Sequence, residues 1–339
     1  MPKGSDKAEE LTRDIFEIED CVYDANVEDW GEEYTGLSQS ELLYSRAIET
    51  GPRNACAQCN YAILLKTAAA LKSNVHEGEG SRIAEHIITK DLRLPRDMYT
   101  AELLEWGNAY LGQASIIFNY SLDIDSRNSW ALSSLADMIQ KSKPEEGSSA
   151  AEKLILRLTK EGDNAVGLTK EGDNAVGTNA VHDGSPSASV HEESRFFRGL
   201  VQAERLNQRV IEVDPQHAVA LRRHGLLLAT NVPAQGSIAA KNLIIDVFGV
   251  SNIAYSLHIS AWGGHDTGYR ETREPGGKIQ TQAVVGLVGL AQSDFFFRRA
   301  IELLPNTELL ITYAVLLENC VQGSVEAQTL LHETFGMPN

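Results

Sequence analysis

The chain has 339 residues, 42% of them hydrophobic, and a formal net charge of −17. That apolar content is enough for a packed core and argues against wholesale disorder. The acidic balance argues against nucleic acid as a direct partner, because phosphate binding needs clustered Lys and Arg. No run approaches the roughly 20 apolar residues of a membrane-spanning helix, so no membrane partner is expected. Met1 to Glu10 is polar, with no secretory core behind it, so the expected setting is cytoplasmic and soluble, the nucleus left open.

Residues 1–33 read as an acidic N-terminal arm: residues 1–40 carry twelve acids against Lys3, Lys7 and Arg13. Such a segment is a solvated tail or terminal helix, or an arm that docks a basic partner or folds back on the rest of the chain. From residue 34 onward a helical pattern recurs. Its opening, L-x-Q-[SA] followed by apolar positions, stands at Leu37-Gln39, Leu111-Gln113, Leu200-Gln202 and Leu290-Gln292. Ser40, Tyr44, Ala47 and Ile48 fall on one helical stripe, and Pro52, Pro215 and Pro305 close three of the copies. A second helix follows each copy, through Ala62 and Leu65, Ala136 and Ile139, Gly225 and Leu228, Ala314 and Leu317. A third opens with G-S-x-x-A at Gly80-Ser81, Gly147-Ser148, Gly236-Ser237 and Gly323-Ser324. Gly supplies the turn, and Ser caps the orphan amides of the first helical turn. The four shared glutamines fit a structural duty, hydrogen-bonding a helix end or turn.

This pattern resembles the tetratricopeptide repeat family. Its Ala, Phe four later, Ala three later and Pro five later align with Ala114, Phe118, Ser121, Ser126 and with Ser293, Phe297, Ala300, Pro305. The resemblance covers most of residues 34–339 and implies an all-α fold: an α-solenoid of stacked antiparallel helices in four three-helix modules, at 34–92, 105–158, 195–248 and 286–335. Phe297-Arg298-Arg299-Ala300 and Tyr313-Ala314 also resemble the helical repeats of RNA-processing scaffolds.

Two insertions interrupt the pattern. The stretch at about 160–193 is rich in Gly, Ser, Asn and Asp, and Leu158–Gly167 recurs residue for residue as Leu168–Gly177. It reads as a flexible loop. The stretch at about 251–278 reads as loop-rich and carries Trp262 and the Gly276-Gly277 pair; its greater aromatic content allows part of it to be ordered.

Candidate chemistry is sparse. Cys56 and Cys59 form a lone C-x-x-C inside a helical run, where structural cysteine is the expectation. His76 and His86, beside Glu77, Glu79 and Glu85, lack the spacing of a metal pair on one helical face. His265 and Asp266, near Tyr269, Arg270 and Glu271, come with no nucleophile signature. Gly276-Gly277-Lys278 lacks phosphate-loop spacing. No catalytic residue, cofactor or metal is therefore expected. The expected function is a non-catalytic scaffold that binds a peptide or partner domain; the alternatives are an RNA-processing scaffold and an enzyme with a site in residues 262–277. Function in a repeat lies where equivalent positions differ, and only the third copy is basic on its second helix. Arg222, Arg223 and His224 stand there as the candidate partner-binding residues.

Overall fold

Side-chain caps start the helices where the sequence marks them. In the computed structural model, Asn54, Asn108 and Asn128 each accept a hydrogen bond from the amide three residues on, at 3.1 Å. Ser81, Ser148, Ser237 and Ser251 do the same with Ala84, Ala151, Ala240 and Ala254. Each cap satisfies one of the amides that a helix start leaves orphaned, worth about 1 kcal/mol. The structure describes residues 5–10, 13, 18–72, 80–167, 198–231, 236–262, 269–273, 279–283 and 287–318.

The chain divides into two compact units, Met1–Ala203 and Glu204–Asn339. The helices of the first unit are α1 (Asp6–Glu10), α2 (Asp20–Trp30), α3 (Thr35–Thr50), α4 (Ala55–Leu71), α5 (Arg82–His86), α6 (Arg96–Trp106), α7 (Ala109–Ile124), α8 (Ser129–Ser142) and α9 (Ser149–Gly167), with the start of α10 (Arg198–Val213). The second unit holds the rest of α10, then α11 (Ala218–Asn231), α12 (Ile238–Asn242), α13 (Asn252–Ala261), α14 (Val288–Leu303) and α15 (Thr307–Glu318). Among the described residues the only sheet is one antiparallel hairpin, β1 (Tyr269–Arg273) with β2 (Ile279–Ala283), in which Glu271 faces Thr281. The protein is thus helical in class. No described helix is long and apolar enough to cross a membrane.

Small residues set how closely the helices approach. In the first unit α4 lies along α7, and Ser121 Oγ donates to the carbonyl of Ala55 at 2.9 Å. In the second unit α11 lies along α14, and Ser293 Oγ donates to the carbonyl of Gly225 at 2.7 Å. A Cβ on Gly225 would stand 3.2 Å from the Phe297 ring. Tyr61, Leu65, Phe118 and Leu132 are fully buried in the first unit, as are Phe296 and Phe297 in the second. Each contributes on the order of 1.5–3 kcal/mol of apolar burial.

The structure adds to the sequence expectation in three places. Residues 160–167 continue helix α9, so the first copy of the decapeptide is helical; the second copy and the rest of 168–193 lie outside the described residues. Part of the stretch 251–278 is ordered: Ser251 caps α13 and the hairpin begins at Tyr269. Within residues 1–33, α2 is a helix that buries Tyr23 and Trp30. The third helix expected after Gly323-Ser324 lies outside the described residues.

Candidate protein-interaction site

The shared glutamines explain what holds the helices in register. Gln113 Oε1 accepts from the amide of Ser81 at 2.9 Å, while its Nε2 donates to the Ser81 carbonyl at 2.8 Å. Gln202 repeats both bonds on Ser148, at 2.8 and 3.0 Å, and Gln292 repeats them on Ser237, at 2.8 and 2.9 Å. A primary amide here pairs with both the N–H and the C=O of one residue, as a residue of a neighbouring antiparallel strand would. The glycine before each serine makes room. A Cβ at Gly80, Gly147 or Gly236 would come within 2.6–2.7 Å of the glutamine side chain, and Gly147 and Gly236 have φ of +71° and +68°. Gly147→Ala is therefore expected to cost about 2–3 kcal/mol in urea denaturation, from the left-handed backbone and the displaced amide bonds. A cost below about 0.5 kcal/mol would show that the clasp carries no constraint.

A fourth glutamine exposes a copy of the motif that sequence reading missed. Gln39 Oε1 accepts from the amide of Ser5 at 3.0 Å, and Nε2 donates to its carbonyl at 3.3 Å. Gly4-Ser5, with Ala8 three residues after the serine, is a fifth G-S-x-x-A, hidden in the acidic segment.

The run Met98–Leu111 reads as helical in the sequence and α6 covers its first part, but the motif common to α2, α6 and α13 was missed for another reason. They share Tyr-x6-Trp, as Tyr23 and Trp30, Tyr99 and Trp106, Tyr255 and Trp262. Each tyrosine hydroxyl accepts from a clasp glutamine: Gln39 at 2.9, Gln113 at 2.9 and Gln292 at 2.8 Å. Three residues after each tyrosine a polar side chain meets the next helix: Asn26 donates to Glu41, Glu102 accepts from Ser115, and His258 lies 3.4 Å from Asp294. Burial pushes the Glu102 carboxyl up, against the opposing effect of bonds from Ser115 and the Trp106 indole.

These fixed helices leave a groove of about 660 Å³ between α6, α7 and α9. Leu92, Leu94, Met98, Ile116 and Leu154 give it an apolar wall, and Met98 is 51% exposed. Its rim is charged in both signs: Asp123 pairs with Arg157, Lys153 is exposed, and Glu105 accepts from the Ser149 amide at the start of α9. An apolar floor with a mixed polar rim is the chemistry of a site for an amphipathic peptide segment.

The Arg222, Arg223, His224 cluster is not one surface patch. Arg222 pairs with Glu308, and both arginines are half-buried. His224 is 0% exposed, its ring set edge-on to Phe296 at 4.7 Å, so it faces the core and cannot touch a partner.

The other candidates are placed as follows. Cys59 is buried, its thiol pushed up to about 12 by burial and by Cys56, so it holds no ready thiolate; both thiols are free. His86 is exposed at the end of α5, and His76, Glu77 and Glu79 lie outside the described residues. So do His265 and Asp266, while Tyr269, Arg270 and Glu271 belong to β1. Among the described residues no group of three His, Cys, Asp or Glu is arranged to hold a metal ion. No protein-family model matches the chain, and no curated protein matches it.

Proposed function

We propose that the chain is a non-catalytic protein-interaction scaffold of the tetratricopeptide kind, its helices stacked as an α-solenoid of four modules. The groove between α6, α7 and α9 is where a partner segment lies. The observation that carries this reading is the groove itself: an open apolar wall, with Met98 half in solvent, held between helices that the glutamine clasp fixes. A preformed wall of this kind binds without ordering the scaffold first, which keeps the entropic cost on the partner's side. An apolar anchor buried there contributes about 2 kcal/mol, or about thirtyfold in affinity.

A photo-crosslinking amino acid placed at Met98 in the full chain, inside cells, tests the reading. The expected result is a discrete protein adduct that Leu94→Asp abolishes, while the same crosslinker at exposed Leu304 gives none. Adducts equal at the two sites, or adducts indifferent to Leu94→Asp, would overturn it. Because Arg222 already has a carboxylate partner and His224 is inside the core, Arg222→Ala is expected to leave the adduct unchanged.

A further inference from the structure

A second cavity, of about 840 Å³, opens in the first unit beside the clasp, and its chemistry is opposite to that of the groove. Its walls are aromatic, with Trp30, Tyr34, Tyr99 and Tyr110, and its rim carries Glu28, Asp29, Glu33 and Glu85. Four carboxylates face only Lys72 and Arg82 among the lining cations. Asp29 is taken by Arg82, and Glu85 reaches Arg96 at 3.6 Å. Glu28 and Glu33 are exposed and have no ion-pair partner among the described residues.

One cation already shows what the cavity does chemically. Lys72 Nζ sits 4.8 Å from the Trp30 ring centroid and 5.4 Å from that of Tyr110. It donates to the Asp29 carbonyl at 2.7 Å and to the Tyr110 hydroxyl at 3.1 Å. Ring faces and oxygens together replace the water that an ammonium gives up. This seat is filled by Lys72; beside it Glu28 feels Arg82 without forming an ion pair, and Glu33 has no ion pair among the described residues.

We propose that this cavity is a docking site for a Lys- or Arg-bearing segment of a partner protein, its cations on Glu28 and Glu33 and its stem against Tyr34 and Tyr99. Charge complementarity fixes the class of occupant: an acidic or neutral segment would meet uncompensated carboxylates. The long apolar stem of Lys or Arg suits aromatic walls with a charged mouth. The site is separate from the groove of α6, α7 and α9, and the two are tested separately.

The probe is a fluorescein-labelled eight-residue peptide of alternating Lys and Gly, read by anisotropy against the full chain, with a counterpart carrying Gln for Lys. The Lys peptide is expected to bind and the Gln peptide not. Glu28→Gln with Glu33→Gln should weaken binding at least tenfold, and raising salt from 50 to 500 mM should weaken it as well. Glu145→Gln with Glu146→Gln, an exposed acidic pair elsewhere in the unit, should change it less than twofold. Met98→Glu should also leave it unchanged, so a failure of the groove reading does not touch this one. Equal weakening by the two acidic pairs would assign the binding to the diffuse field of a −17 chain and overturn the proposal. So would binding of the Gln peptide as tightly as the Lys peptide.

Discussion

Replacing Gln113 by Leu is expected to destabilise the first unit by about 3–5 kcal/mol, among the largest effects that one side chain in this protein can have. The substitution preserves volume and removes three bonds at once. It strands the Ser81 amide, the Ser81 carbonyl and the Tyr99 hydroxyl in a buried place. Each buried group left without a partner costs about 1–3 kcal/mol. Tyr99→Phe removes one acceptor alone and should cost about 1 kcal/mol. Among the described residues Gln202 bonds Ser148 and no tyrosine, and the sequence holds no tyrosine between residues 131 and 254. Gln202→Leu should therefore cost less than Gln113→Leu. Denaturant midpoints of the three variants check this ranking; a loss below about 1 kcal/mol for Gln113→Leu would show that water replaces the clasp.

Acid should weaken the second unit through His224. Burial lowers its pKa from 6.5 to about 3. A histidine neutral in the folded chain and protonated in the unfolded one makes the unfolded state the better proton binder between those values. Stability contributed by the neutral ring is thus fully present above about pH 6.5 and is lost as pH falls toward 3. The slope for one proton is about 1.4 kcal/mol per pH unit. His217, also lowered by burial, acts in the same direction. Glu204 acts against it, because burial raises its carboxyl: the folded chain then holds the extra proton, and stability from that group falls as pH rises above about 4.5. Arg222 and Arg223 flank the histidine on its own helix, and Asp294, with Arg298 and His258, lies on and around α14, which packs against it. The clean measurement is a difference: calorimetric melting of the native chain and of His224→Leu at pH 7 and pH 4.5. The Leu variant should lose markedly less on acidification. Parallel losses in the two chains would refute the assignment.

His224 also shows where sequence reading went astray. Adjacent cations drew attention to Arg222-Arg223-His224 as a basic face, yet a helix turns about 100° per residue and spreads three neighbours over more than half its circumference. The better signal was the alignment of copies, which sets His224 against Tyr61, Leu135 and Tyr313, all core residues. Asn207, fully buried with neither amide atom bonded, likewise stands where Tyr44, Phe118 and Phe297 do. The third copy has exchanged an apolar pair for a polar one inside the core.

The helices and their caps were legible because periodicity and caps are local. That each glutamine holds a helix start was legible too, but not which one: the partner serine lies 32 to 55 residues upstream. The Tyr-x6-Trp motif of α2, α6 and α13 escaped because it stands at no fixed distance from Leu-x-Gln. Leu37 stands seven positions after Trp30, Leu111 five after Trp106, and Leu290 28 after Trp262. The groove was not legible at all, since its lining comes from three helices that only packing brings together.

The clasp spans 32 residues from Ser81 to Gln113, 54 from Ser148 to Gln202 and 55 from Ser237 to Gln292, yet the bonds at its two ends are the same. Closing the longer loops costs only about 0.5 kcal/mol more than closing the shorter one, because loop entropy grows with the logarithm of length. Chain added inside that interval leaves both ends where they were. The duplicated decapeptide and the β-hairpin fall within such intervals, between Ser148 and Gln202 and between Ser237 and Gln292. A coupling whose two halves recognise each other through backbone atoms makes the stretch between them open ground, where new sequence accumulates without disturbing the joint.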